Sequence, residues 1–243
     1  MLREVAANNL AERVVQNPYP GRGIVAGRAA DGSWIQVYWI MGRSENSRNR
    51  LFVCEGGILR TQAADPAKVE DPSLIIYQAM RTSGRRYIVS NGVQTDAIWQ
   101  GLEDGAHFAD TLRDWYHEPD APNYTPRISG CVDLSGGAAS LWLSILKVSP
   151  FSNDESERHF FRYENVEAGY GYAITTYRGD GDPLPSFAGA PYVLALPGSA
   201  EQIAEHFWHS LDSDNKISLA VRHIATDGEE RVFIQNKHVY QGE

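Results

Sequence analysis

The chain has 243 residues, of which 42% are hydrophobic and 22% are charged, and its formal net charge is −9. These totals are typical of a globular protein with a substantial core, long enough for one large domain or two small ones. The acidic balance argues against duplex nucleic acid as a partner, and no apolar run approaches the length of a membrane span. Two cysteines are too few for a disulfide framework, and the charged start at Arg3 and Glu4 is unlike a signal peptide. We therefore expect a cytoplasmic protein with no membrane partner.

The first ninety residues predict one short helix followed by strands. Apolar residues recur at helical spacing over residues 1–16, and the Pro- and Gly-rich segment 17–21 ends that helix. Asp31-Gly32 is typical of a tight turn between two strands. The run 34–41 becomes wholly apolar, as a buried central strand would. The strands expected here, in chain order, are 21–27, 34–41, 51–54, 58–59, 74–77 and 85–90.

The rest of the chain predicts two helical regions among further strands. Residues 94–116 carry apolar side chains at helical intervals, interrupted by glycines, so one broken helix or two helices are expected. Ser199 is a good N-cap for a helix that runs to about residue 211. The strands expected here are 127–132, 138–148, 160–163, 169–177, 192–196, 217–224 and 231–234. Runs of strands separated by helices favour the α+β class, and we read 1–243 as one domain with residues 1–19 as a helical appendage.

A polar segment rich in arginine follows the predicted strand 34–41. Its cations are Arg43, Arg48 and Arg50, and Ser44 and Asn49 are among the short polar residues between them. A guanidinium offers a rigid fork of donors that matches phosphate or carboxylate at two points. The segment is therefore either an anion site or a charged turn whose arginines form surface ion pairs.

The distribution of charge favours the anion site. Residues 1–90 contain eleven Arg and one Lys against eight acidic residues, a balance of +4. Residues 91–243 contain ten basic and twenty-three acidic residues, a balance of −13. A small anionic ligand bound near the arginine segment of an otherwise acidic protein fits this pattern.

The sequence offers little support for metal or nucleophilic chemistry. His206 and His209 lie three residues apart, but the aromatic residues between them indicate a packed helix face rather than a metal site. No phosphate loop of the nucleotide-hydrolase type is present, and no serine or cysteine lies in a nucleophile elbow. Cys131 lies among apolar residues, which is typical of a buried and inert thiol.

Four further places carry polar groups at the ends of apolar strands. Asn91-Gly92 and Thr95-Asp96 lie where a predicted strand passes through a turn into a helix, which is either plain turn and cap chemistry or a site for an anion or amide. Arg127 begins an apolar strand, Tyr77 ends one, and Arg22 opens the first strand.

Together these stretches resemble the archaeal-type IMP cyclohydrolase family. The resemblance covers roughly residues 20–130 and is carried, in family order, by Gly21-Arg22, Arg43-Ser44, Asn49-Arg50, Tyr77, Val89-Ser90-Asn91-Gly92, Thr95-Asp96 and Thr125-Pro126-Arg127-Ile128. It implies a four-layer αββα sandwich similar to N-terminal-nucleophile hydrolases but without their nucleophile. It also implies closure of 5-formamidoimidazole-4-carboxamide ribonucleotide to inosine monophosphate with loss of water, which needs no cofactor.

If the resemblance holds, the predicted residues take specific roles. We expect Arg43, Arg48 and Arg50, with Ser44 and Asn49, to bind the substrate near its 5′-phosphate. We expect Tyr77 to transfer protons and Arg127 to stabilise the developing oxyanion. The remaining site residues are expected to orient the carboxamide or line the site: Asn91, Asp96, Gly92, Thr95 and Arg22.

Two other classes of function remain open at this point. One is a purine-nucleotide-binding module that lacks the chemistry. The other is an amide hydrolase on the same scaffold, with Cys131 or Ser44 as its nucleophile. All three readings need a small-molecule partner and the same arginines, and the sequence is compatible with a monomer or a homo-oligomer.

Overall fold

The structure of the protein is a computed structural model that describes residues 1–69, 72 and 75–241. Within these residues thirteen strands form two antiparallel sheets. The strands are β1 (Gly23–Arg28), β2 (Trp34–Met41), β3 (Leu51–Glu55), β4 (Ile58–Gln62), β5 (Gln78–Ser83), β6 (Arg86–Ser90), β7 (Arg127–Asp133), β8 (Ser140–Val148), β9 (Ser156–Tyr163), β10 (Tyr170–Thr175), β11 (Tyr192–Ala195), β12 (Lys216–Ile224) and β13 (Glu230–Asn236). The first sheet has the order β11-β10-β1-β2-β12-β13, and the second runs from β3 to β9 in sequence order.

The helices pack against the sheets rather than between them. They are α1 (Leu2–Leu10), extended by a π-helical turn at Ala11–Val15, α2 (Glu45–Arg48), α3 (Gln94–Glu103), α4 (Phe108–Thr111) and α5 (Ala200–Ser210). Helix α1 lies against β11, α5 against β12 and β13, and α3 against β5 and β6. The α+β class is therefore confirmed. No helix in the described ranges is both long and apolar enough to cross a membrane.

Strand β2 has the predicted bounds, and every one of its residues is buried. It lies in the middle of the first sheet, between β1 and β12, so both of its faces are covered. Trp39 stacks on Phe207 of α5 with ring centroids 6.2 Å apart. Tyr38 points the other way and contacts Phe52 of the second sheet, with ring centroids 5.4 Å apart. Burial on both faces explains why this segment reads as a continuous apolar run.

Two apolar clusters form the core. The larger contains residues of both sheets, from Val14 to Ile224, and the smaller lies between the second sheet and helices α3 and α4. Cys131 belongs to the smaller cluster and is 1% exposed. Burial raises the pKa of its thiol, as expected for an inert cysteine.

Polar side chains also join the two sheets through the core. Gln36 of β2 donates from Nε2 to the Tyr87 carbonyl at 2.8 Å. The fully buried Arg222 of β12 donates to the carbonyls of Arg81 and Ile88, both at 3.2 Å. At the sheet margin, Asn236 donates to the carbonyl of Phe52 and accepts from its amide, each at 2.9 Å. The two buried side chains, Gln36 and Arg222, thus donate to backbone carbonyls of the opposite sheet.

One predicted strand is placed wrongly. Residues 75–77 precede a strand rather than form one, and β5 begins at Gln78; Leu74 lies outside the described residues. The strand that pairs with β6 is Gln78–Ser83, with Met80 opposite Val89. Half of the β5 residues are polar, since some of its side chains are only half-buried. The residues before it are more apolar, and the strand was therefore predicted there.

The local signals elsewhere gave the correct elements. The turn at Asp31-Gly32 joins β1 and β2, and the hairpin β3–β4 lies within residues 51–62. Ser199 caps α5 in a reciprocal capping box with Gln202. The helical region after residue 94 consists of two helices, α3 and α4, as one of the two alternatives proposed.

Candidate active site

A cavity of about 290 Å³ lies where the start of β1, the end of β2 and two connecting segments meet. The connecting segments are 118–125, which precedes β7, and 177–184, which follows β10. Three arginines expected from the sequence line it, namely Arg22, Arg43 and Arg50, together with Ser44. The carboxylates in its wall are Glu118 and Asp120.

The arginine segment folds into a compact turn that presents its side chains to this cavity. Ser44 caps α2 by accepting the amide of Ser47 at 3.2 Å. Gly42 approaches this turn so closely that a Cβ would lie 2.7 Å from the backbone of Ser47. Arg50 is 2% exposed and donates to the carbonyls of Ser47 at 2.8 Å and Met41 at 3.2 Å. Its Nη1 has no partner among the described residues, which leaves a cationic donor free beside the cavity.

Arg22 and Glu118 form a buried ion pair in the cavity wall. Nη2 of Arg22 lies 3.2 Å from Oε2 of Glu118, and the two side chains are 12% and 3% exposed. Burial is the largest single influence on Arg22 and lowers its pKa, but the Glu118 carboxylate and the neighbouring tyrosines together raise that pKa above its ordinary value. Burial also raises the pKa of Glu118, against the opposing effect of Arg22 and then of Arg127. Nε of Arg22, like Nη1 of Arg50, lacks a partner in the described part of the chain.

Gly21 explains how Arg22 reaches this position. It has a φ of +73°, and a Cβ there would lie 2.2 Å from Oγ1 of Thr176, so only glycine fits. The next amide, that of Arg22, donates to the same Thr176 hydroxyl at 3.0 Å. The backbone before β1 is thus fixed against the end of β10, and the Arg22 side chain is directed to Glu118.

A layer of hydrogen-bonded side chains lies behind Glu118. Arg127 approaches Oε1 of Glu118 to 4.0 Å and donates from Nη1 to Gln94 at 3.0 Å. Gln94 in turn donates to Oδ1 of Asn91 at 2.9 Å. Asn91 donates to Glu118 at 3.4 Å and to the Pro126 carbonyl at 2.9 Å. A Cβ on Gly92 would lie 2.8 Å from the Arg127 guanidinium, so a side chain at that position would displace this layer.

Two tyrosines meet behind the arginines. The hydroxyls of Tyr38 and Tyr77 lie 2.6 Å apart, and both residues are buried. Burial raises the pKa of Tyr38 well above its ordinary value, so this phenol stays protonated. Tyr77 lies close enough to Arg22 and Arg50 to interact electrostatically with both guanidinium groups.

The mouth of the cavity is formed by more exposed groups. Arg43 donates from Nη1 to Asp180, and from both terminal nitrogens to the Gly181 carbonyl at 3.2 Å. Its guanidinium also lies over the ring of Tyr19, 5.0 Å from the centroid. Among the other wall residues, Thr125 donates its hydroxyl to Asp120 and contacts the hydroxyl of Tyr177.

Four of the predicted site residues lie apart from this cavity. Arg48 and Asn49 line a separate depression; Arg48 donates to the Asp214 carbonyl at 2.7 Å, and Asn49 donates to the Asp65 carbonyl at 2.8 Å. Asp96 is exposed on α3 and pairs with Arg81 at 2.9 Å. Thr95 is buried at the start of the same helix and donates to the Gly92 carbonyl at 3.0 Å.

Several wall residues were not among the predicted ones. Among them are Tyr19, Glu118, Asp120, Thr125 and Tyr177. Thr125 belongs to the motif Thr125-Pro126-Arg127-Ile128, which carries part of the family resemblance. Glu118 and Asp120 lie in the proline-rich connection before β7, in the acidic second half of the chain. The only sequence signal for Glu118 is an ionisable residue flanked by a histidine and a proline before a predicted strand.

The site thus combines a cluster of arginines with one buried carboxylate. Arg22 and Arg50 each have a buried N–H that lacks a partner among the described residues, and burial raises the proton affinity of the Glu118 carboxylate. Such a cavity can hold an anionic ligand, hydrogen-bond an oxygen that gains negative charge, and move a proton. Within the described residues no group of three or more His, Cys, Asp or Glu side chains is arranged to hold a metal ion.

Comparison with known proteins identifies the family. The profile of the IMP cyclohydrolase-like protein family matches residues 19–228. The chain is 32% identical over 174 residues to an IMP cyclohydrolase of Methanopyrus kandleri, and the aligned region covers 69% of this chain and 79% of that protein. It is 30% identical over 176 residues to an IMP cyclohydrolase of Methanothrix thermoacetophila, and the aligned region covers 71% of this chain and 80% of that protein. The chain belongs to the IMP cyclohydrolase-like protein family.

Proposed function

We propose that this protein is an IMP cyclohydrolase, which closes 5-formamidoimidazole-4-carboxamide ribonucleotide to inosine monophosphate and releases water. Its relatives of that name in two archaea support the proposal. The main structural support is that one cavity is lined both by the buried carboxylate of Glu118 and by arginines with N–H groups that lack a partner among the described residues. An anionic ribonucleotide whose reacting groups are an amide and a formyl group needs both.

The reaction requires bond formation and two proton transfers. The carboxamide nitrogen bonds to the formyl carbon and loses one proton, while the formyl oxygen gains one and becomes a hydroxyl. The C–O bond then breaks, the former formamide nitrogen loses its proton, and the oxygen leaves as water. An amide nitrogen is a weak nucleophile, so holding both groups in a reactive pose can lower the barrier by roughly 7–11 kcal/mol.

We assign the proton transfers to Glu118. It lines the cavity, and burial raises the pKa of its carboxyl, which brings it closer to neutral pH, where a general base is most effective. Glu118 accepts the proton from the attacking nitrogen and returns it to the oxygen. The free N–H groups of Arg22 and Arg50 stabilise the charge that develops on that oxygen before it is protonated.

The remaining predicted residues take supporting roles in this proposal. Arg43, with Ser44, lies at the exposed end of the cavity and is the arginine placed to receive the phosphate. Arg127 and Asn91 act through Glu118, which they contact from behind. Tyr77, proposed from the sequence as the proton-transfer group, is not among the described residues that line the cavity, and we propose that it acts through Arg22 and Arg50.

We further propose that the whole chain forms one domain with the four-layer αββα arrangement of N-terminal-nucleophile hydrolases. Support comes from the contacts of α1 and α5 with one sheet and of α3 with the other. A nucleophile-dependent amide hydrolase is less well supported, because Cys131 lies in the core cluster under α3 rather than in the cavity. Ser44 lines the cavity, but its hydroxyl is occupied in capping α2.

The test follows the absorbance change when the purified protein is mixed with the formamido ribonucleotide. The wild type should turn over, and Arg43→Ala should raise KM by at least about tenfold, because a phosphate contact to a charged donor is worth about 1.5–3 kcal/mol. A wild type without turnover, whose melting temperature nevertheless rises with inosine monophosphate, would favour the binding module instead. Covalent labelling by an electrophilic amide analogue would favour the amide hydrolase.

A further inference from the structure

The polar contacts of the Arg43 side chain come from a segment remote in sequence. Its guanidinium meets Asp180 and the Gly181 carbonyl, both in the loop 179–185, and rests on the Tyr19 ring. The side chains of Arg43 and Asp180 are 38% and 49% exposed, so this ion pair lies in contact with solvent. We call this contact between Arg43 and the loop the mouth latch.

The loop is fixed at its base and exposed at the position of Asp180. The amide of Arg178 donates to the Pro185 carbonyl at 2.9 Å, which closes the base. Leu184, which is buried and lines the cavity, donates its amide to Oδ1 of Asn123 at 3.0 Å. Within the described residues, the Asp180 carboxylate has one contact besides Arg43, since it accepts the amide of Gly181 at 3.0 Å. The base therefore stays in place when Asp180 loses its partner.

A carboxylate and a phosphate compete for the same donors of a guanidinium. Both accept the planar fork of arginine at two points, and the phosphate carries the greater charge. An exposed ion pair is weak, so a phosphate can displace it. Arg43 is the cavity arginine that is both exposed and already paired with an anion, whereas Arg22 and Arg50 each keep a buried N–H without a partner in the described part of the chain.

We propose that Asp180 is a built-in competitor for the phosphate subsite, so that only a ligand carrying a phosphate at Arg43 releases the mouth latch. The inference rests on the proposed function for the nature of the ligand. In the empty protein Asp180 holds Arg43 across the mouth; in the complex the phosphate takes its place. Asp180 thereby lowers the apparent affinity for phosphate-bearing ligands, because part of the binding energy is used to displace it.

The test measures binding by titration calorimetry at physiological ionic strength. The probes are inosine monophosphate, ribose 5-phosphate and inosine, which lacks the phosphate. Asp180→Asn should tighten binding of both phosphate compounds about threefold, as loss of one exposed ion pair allows, and leave inosine unchanged. Asp182→Asn is the matched control, since Asp182 is an exposed acid of the same loop with no ion pair found among the described residues.

A second comparison isolates the partner of Asp180. In an Arg43→Ala background, Asp180→Asn should no longer change the affinity for ribose 5-phosphate, because the competition has lost its target. The proposal is overturned if Asp180→Asn weakens phosphate binding or leaves it unchanged, if Asp182→Asn has the same effect, or if inosine gains equally. It is also overturned if the wild type binds neither phosphate compound.

These outcomes separate the mouth latch from the proposed reaction. Suppose that Asp180→Asn binds ribose 5-phosphate more tightly but the protein does not close the formamido ring. This result would support the mouth latch and contradict the proposed function. If the ring closes normally and Asp180→Asn does not change the affinity for phosphate compounds, the proposed function is supported and the mouth latch is contradicted.

Discussion

The inner and outer ends of the cavity use the same type of side chain in opposite ways. At the inner end, Arg50 is buried and the Arg22 side chain is 12% exposed, and each has an N–H without a partner in the described residues. At the outer end, Arg43 is 38% exposed and already paired with Asp180. A buried unpaired donor is costly in free energy and is retained where a ligand completes it. A paired, exposed donor costs little and can be exchanged, so the inner end suits chemistry and the outer end suits recognition.

The largest expected effect tests the inner end. Glu118→Gln keeps the size of the side chain but removes the proton acceptor, so kcat should fall about 10³-fold with little change in KM. Steady-state turnover of the formamido ribonucleotide measures both constants. Glu103→Gln, at an exposed position on α3, should leave them unchanged. Turnover by Glu118→Gln within about tenfold of the wild type would remove Glu118 from the proposed chemistry.

The pH profile gives an independent measure of the same group. Glu118 must be ionised to accept a proton, and burial raises the pKa of its carboxyl. We therefore expect kcat/KM to fall as the pH drops through this raised pKa, at a higher pH than for a surface glutamate. The acidic limb should be absent from the residual activity of Glu118→Gln. A profile that stays flat until the protein unfolds would contradict the assignment.

The next effect concerns stability rather than turnover. Arg22→Met removes the closer of the two cations beside the buried Glu118 carboxylate, leaving Arg127 at 4.0 Å, and should lower the free energy of unfolding by about 3 kcal/mol. Urea unfolding followed by circular dichroism measures it. The exposed pair of Arg113 with Asp110 provides the contrast, and Arg113→Met should change stability by less than about 1 kcal/mol. Equal effects at the two sites would show that burial gives the Arg22–Glu118 pair no more influence on stability than an exposed ion pair has.

The smallest expected effect is at the tyrosine pair. Tyr38→Phe leaves the buried hydroxyl of Tyr77 without its 2.6 Å partner and should cost about 1–2 kcal/mol of stability. The double variant with Tyr77→Phe removes both hydroxyls and should cost less than the sum of the two single changes. Thermal unfolding of the three variants measures the coupling, with Tyr116→Phe at an exposed position as control. Strictly additive losses would show that the two hydroxyls act independently.

Local chemistry explains what the sequence could predict. The bounds of β2 follow from continuous burial, and α5 begins where Ser199 and Gln202 form a capping box. Strand β5 was missed because its half-polar sequence is stabilised by pairing with β4 and β6 rather than by its own apolar content. Strand pairing depends on residues far apart in sequence, which no local pattern records.

The site was predictable only in part, for a similar reason. The arginines stood out because they cluster in a short segment with little lysine. Glu118 did not, because its histidine and proline neighbours are a weak signal among the many acids of the second half, and burial beside Arg22 gives it its properties. Asp96 follows Thr95 on α3, but one step along a helix turns a side chain by about 100°, which places Asp96 on the exposed face.

Arg222 limits how the two sheets can be aligned. Its guanidinium has four acceptors in reach: the carbonyls of Arg81 and Ile88, the Thr82 hydroxyl at 3.4 Å and the Glu230 carboxylate at 3.5 Å. If one sheet shifted over the other by a single residue, the fully buried Arg222 would lose its acceptors in the second sheet. Leaving a buried cation without acceptors has a large cost in free energy. The cavity has one wall at the end of the first sheet and another just before β7 of the second. Arg222 is not among the described residues that line the cavity, yet its hydrogen bonds hold together the two sheets that supply these walls.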